Sequence, residues 1–81
     1  MSEAKFEKNS PEWKMFRDLY KIIEKHWIPE DTDEYWNAVI DATDDFTAKY
    51  HQLHPMVVVL AAGVVSGLEL KSKMDKENKD G

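Results

Sequence analysis

No cysteine occurs in the 81 residues, which excludes a disulfide, a thiolate metal ligand and a cysteine nucleophile. Glycine and proline are scarce, at three each, and form no flexible or Pro-rich linker. No P-loop, dinucleotide-binding glycine motif or Gly-x-Ser-x-Gly elbow is present. Basic residues are outnumbered, 11 Lys and Arg against 16 Asp and Glu, for a net charge of −5. Affinity for nucleic acid needs clustered cations, so direct nucleic-acid binding is not expected. The longest apolar stretch, from Pro55, is interrupted by Glu69 and falls short of the about 20 residues that span a membrane. With no charged and apolar leader pattern at its start, the chain is expected to be cytoplasmic.

What the chain does have is a single domain's worth of amphipathic helix. A chain of this length buries only about 60% of the surface it exposes when unfolded, so its core is marginal. Ser10-Pro11 opens the first helix, a side-chain cap followed by a proline where no N–H is needed. Trp13, Phe16, Tyr20, Ile23 and Trp27 then recur at helical spacing, with Met15, Leu19, Ile22 and His26 beside them. An apolar arc of about half the circumference predicts contact with two neighbours. Ile28-Pro29 ends the helix.

Asp31 or Thr32 caps the second helix, with Glu34 in its first turn. Its inner face carries Trp36, Val39, Ile40, Thr43, Phe46, Thr47 and Tyr50. Seven acids and no base lie between residues 29 and 48, a local charge of −7 that exceeds the whole net charge. The third segment, PMVVVLAAGVVSGLELKSKM, reads as strand or helix around Val57-Val58-Val59. Its length favours a helix, apolar nearly all round and therefore enclosed. The expected fold is all-α, a compact three-helix bundle over 11–27, 33–53 and 55–73. Polar residues 1–10 and 74–81 are expected to be flexible.

Catalytic candidates are weak. Ser66 sits in an apolar helix, and Asp41 and Asp45 lie on a polar face, so no enzyme activity is expected. His51 and His54, with His26, Asp44 and Asp45, lack zinc-ligand spacing, and Asp31-Thr32-Asp33 lacks the glycine and final glutamate of a calcium loop. No metal and no cofactor are expected. Two surfaces remain. Glu34, Asp41, Asp44 and Asp45 form an acidic face, either solvated or able to draw a basic partner. Ala62, Gly63, Ser66 and Gly67 form a small-residue seam, suited to a tight crossing inside the fold or to a homodimer. The leading expectation is a non-enzymatic protein-interaction module, working as a homodimer or with another protein. The alternative is an acidic inhibitor that mimics nucleic acid through helix 2.

In EDTDEYWNAVIDA, the Lys49-Tyr50 helix end and the His54-Pro55 restart, the chain resembles small helical proteins encoded in prophages and mobile elements of Gram-positive bacteria. That resemblance implies a third helix rather than a strand. It implies no activity and assigns no functional residue.

Overall fold

A computed structural model describes residues 2–80, as three α-helices with no strand among the described residues. These are α1 (Pro11–Lys25), α2 (Asp33–Tyr50) and α3 (Met56–Asp80). Met1 and Gly81, the outermost residues of the two ends expected to be flexible, lie outside the described residues.

The helix starts follow the sequence signals. Ser10 Oγ accepts from Trp13 N at 3.3 Å, with Pro11 in the first turn. Thr32, not Asp31, caps α2, its Oγ1 accepting from Tyr35 N at 3.1 Å. Both caps satisfy amides that the helix itself leaves free. The ends come earlier than expected for α1 and α2. α1 stops at Lys25 with His26 as its C-cap, and α2 stops at Tyr50, followed by a turn over residues 51–53. Residues 51–53 turn because the chain must reverse before Pro55, which disfavours helix at His54.

The helices run up, down and up around two linked apolar clusters. In one, Met15, Phe46, Tyr50, Val57 and Ala61 pack together with Leu19, Ile22 and Leu53 against them. In the other, Val39, Val64 and Leu68 meet Ile23, Tyr35 and Trp36. Leu19 and Ile22 touch both clusters and tie α1 to α2 and α3 at once. Within α2, buried Thr43 donates to the carbonyls of Val39 and Ile40, each at 3.0 Å, so its hydroxyl costs little in the core.

Three expectations need correction. The stripe of α1 that enters the core is Met15, Leu19 and Ile22, whereas Phe16, Tyr20 and Trp27 are exposed. A half-circumference arc exceeds what α2 and α3 cover, and the larger rings are left on its outer edge. Helix 3 is not enclosed: among its described residues Val57, Ala61, Val64 and Leu68 are the buried ones, while Val59 is 72% and Leu70 67% exposed. Two neighbouring helices cover one side of a helix and no more. Finally, α3 does not end near Lys73 but continues to Asp80, past the expected boundary of a flexible tail. Lys71 and Asp75 pair at 3.2 Å one turn apart, and Lys76 reaches Asp31 at 3.5 Å. This overhang helps raise the radius of gyration to 14.7 Å, against about 12 Å for a compact chain of this length.

Candidate functional site

An extensive apolar groove lies between α1 and α3. It has a volume of about 520 Å³. Leu19 and Ile23 of α1, with Trp27 just past its end, form one wall, and Val59, Gly63 and Gly67 form the facing edge on α3. Leu60, Val64 and Leu68 lie at its base, where groove and core merge. Lys71 closes one end, its ammonium lying 4.8 Å from the centre of the Trp27 ring. Lys71 is the one charged residue in the lining, so the groove offers apolar contact and few polar anchors. Small-molecule sites add a few convergent polar groups to an apolar lining, which this groove lacks; an apolar trench beside a helix suits another helix.

Gly63 and Gly67 decide how the small-residue seam is read. A Cβ built on either glycine meets no atom within 4 Å. The tight crossing inside the fold is therefore not formed. Ala62, Gly63, Ser66 and Gly67 are all exposed. Each glycine costs the helix about 1 kcal/mol relative to alanine, and nothing within the protomer offsets that cost.

The acidic candidates lie elsewhere. Glu34, Asp41, Asp44 and Asp45 are all exposed on α2, whose inner residues Val39, Thr43 and Phe46 face the core. None of the four acids forms an ion pair among the described residues. The acids point into solvent, and no cavity beside them has the apolar extent of the groove.

The histidines are not drawn together. His26 is buried and donates through Nδ1 to Ile22 O at 2.8 Å, while Tyr35 donates to His26 O at 2.5 Å. His51 donates to Thr47 O at 3.0 Å, and His54 Nδ1 accepts from Met56 N at 3.0 Å. Each thus satisfies backbone groups at a helix end. Among the described residues no three His, Cys, Asp or Glu side chains are grouped to hold a metal ion.

One polar cluster was not foreseen from the sequence. Asp18, on α1, accepts from Arg17 at 2.9 Å and from Lys49 at 3.3 Å, and the Tyr50 hydroxyl donates to the same carboxylate. Burial acts to raise the pKa of Asp18, but the hydrogen bonds from Tyr50, Arg17 and Lys49 outweigh it and hold the carboxyl below its ordinary value of 3.8. Burial, then the hydrogen bond to Asp18, push the Tyr50 phenol above 10.0. An ionised carboxylate so fully engaged fastens α1 to the end of α2; it is not poised as a general base. Its lowered pKa fixes the sign of a prediction. The stability Asp18 contributes is complete above the unfolded value and is lost as pH falls through the lower folded one. Asp18→Asn should cost about 1–2 kcal/mol at about pH 7 by urea denaturation, and the deficit should shrink between about pH 4 and about pH 2. A deficit that stays constant on acidification would refute the latch.

No helix among the described residues is long and apolar enough to cross a membrane. No family model matches the chain, and no similar protein was found among the curated proteins or the solved structures.

Proposed function

We propose that this protein is a non-enzymatic interaction module whose docking surface is the apolar groove between α1 and α3. One observation carries the reading: the groove is edged by Gly63 and Gly67, which no intramolecular contact requires. A helix that gives up intrinsic stability at two positions, and leaves large apolar side chains beside them in water, gains most when a second surface covers them. The absence of convergent polar groups supports a polypeptide partner over a small substrate. The acidic face of α2 then serves solubility, keeping a molecule with an open apolar trench from associating nonspecifically.

The test is site-specific photo-crosslinking in cells of the source organism. A photoreactive side chain in place of Val59 should give covalent protein adducts, and one in place of Asp41 should not. Adducts from position 41 alone would move the docking surface to the acidic face of α2, and no adduct from position 59 would overturn the proposal.

A further inference from the structure

The chain ahead of α1 is held in place by a turn and a ring contact. Ser10 N donates to Glu7 O at 3.0 Å, and between them Asn9 takes a φ of 70°, the left-handed region that asparagine enters more readily than most side chains. The turn sends the chain back over α1, where Phe6 stacks on Phe16 with ring centres 5.6 Å apart and planes 25° apart. Phe16 continues the groove. It lies with Leu19 and Ile23, both in the groove wall, within an arc of about 60° on α1, and about 4.5 Å before Leu19 along the axis. The two helices that flank the groove run in the same direction: Met15 packs with Val57 and Ala61 near their starts, and Trp27 meets Lys71 near the far end. Phe6 and Phe16 therefore stand at the Val59 end, opposite the end that Lys71 closes.

We infer, resting on the docking surface proposed above, that residues 2–9 form a strap guarding this end of the groove: fastened, Phe6 covers one face of Phe16, and released, it frees that ring to lengthen the apolar wall by a turn. The fastening is weak enough to be displaced. One stacked pair between rings that stay 47% and 37% exposed barely offsets the entropy of ordering the segment. Among the described residues Glu3, Lys5, Glu7 and Lys8 form no ion pair, so charge adds nothing to the hold. Asn9 sets the balance, because the turn must form before Phe6 reaches Phe16. Glycine keeps that backbone at no steric cost, whereas a β-branched side chain is strained there. An occupant that extends past Leu19 must displace Phe6, so the strap keeps that end closed to weak binders.

Pulsed electron spin resonance on the full chain reads the strap directly and needs no partner. With no native cysteine, Ala4→Cys and Glu24→Cys, both at exposed positions, carry one label on the strap and one on α1. The label separation should show a narrow main population in the natural background and with Asn9→Gly, and a broad one with Phe6→Ala. Asn9→Val should raise the ratio of open to fastened molecules roughly five- to thirtyfold. The dye anilinonaphthalene sulfonate, which fluoresces on apolar surface, reads the freed ring. Phe6→Ala should bind it several times more tightly with unchanged helical circular dichroism, and adding Phe16→Ala should abolish the gain. A broad separation in the natural background, a narrow one with Phe6→Ala, equal dye binding with and without Phe6, or a gain that survives Phe16→Ala would each overturn the strap. Crosslinking from position 59 is scored on the natural chain, so a failed strap leaves the interaction-module reading standing, and a lack of adducts refutes that reading while the labels and the dye alone judge the strap.

Discussion

Phe46→Ala is expected to remove about 3–5 kcal/mol of folding stability, a large share of the roughly 4–12 kcal/mol that a chain of this size possesses at about 0.05–0.15 kcal/mol per residue. The size of the effect follows from where the ring sits. Phe46 is 3% exposed and joins Met15, Tyr50, Val57 and Ala61, one or more residues from each helix, in a single cluster. Its ring lies 5.3 Å from that of Tyr50, the residue whose hydroxyl reaches Asp18 on α1. Truncation therefore opens a cavity at the junction of all three helices and loosens the latch beside it. The cavity cannot collapse easily, because its walls belong to three separate helices held by short loops. Urea denaturation followed by circular dichroism should show a midpoint near zero denaturant or no cooperative transition. Tyr20→Ala is the contrasting control. Tyr20 is also an aromatic residue of the helical stripe, but it is 64% exposed, and its loss should change stability by less than about 0.5 kcal/mol. Equal effects of the two substitutions would contradict the division of the aromatics into core and rim.

That division marks the limit of what the sequence makes legible. Helix existence and starts are local properties, and Ser10-Pro11 and Thr32 announce them through capping chemistry that depends on a few neighbouring atoms. Most of the inner face of α2 is legible too, because Glu34, Asp41, Asp44 and Asp45 mark the opposite face, but Ile40, expected inward, is 46% exposed at the edge of the covered stripe. Periodicity alone does not say which part of a broad arc is covered. On and just after α1, Phe16, Tyr20 and Trp27 carry the larger rings, yet Met15, Leu19 and Ile22 lie where α2 and α3 converge. For α3, the all-round apolar pattern implies enclosure only if enough helices exist to enclose it, and one protomer supplies two. The same pattern is the signal that a further surface is needed. The Asp18 cluster left no mark in the sequence, since Asp18 and Tyr50 are 32 positions apart and meet only after α1 and α2 pair. The glycines are visible as a motif, but whether their partner is inside or outside the protomer depends on the empty space above them.

That empty space gives the second large effect. Replacing both glycines with alanine, Gly63→Ala with Gly67→Ala, should stabilise the dilute protein by about 2 kcal/mol, the summed difference in helix propensity. No steric cost offsets the gain, because neither new methyl group approaches any atom within 4 Å. Had the glycines served a tight crossing within the protomer, the same substitutions would force α1 and α3 apart and destabilise it. The sign of the change, read by urea denaturation at low concentration, distinguishes the two. Docking should move the other way, since methyl groups on the groove edge hold a partner's backbone farther from α3. The double variant is therefore expected to be more stable in isolation and weaker in docking, giving fewer crosslinks from position 59 than the natural chain. Such opposed changes have a physical source: a residue retained at the expense of the isolated fold is retained for a contact the isolated fold does not contain. A destabilised monomer would return the glycines to an internal role and remove the argument that α3 is built to be covered from outside.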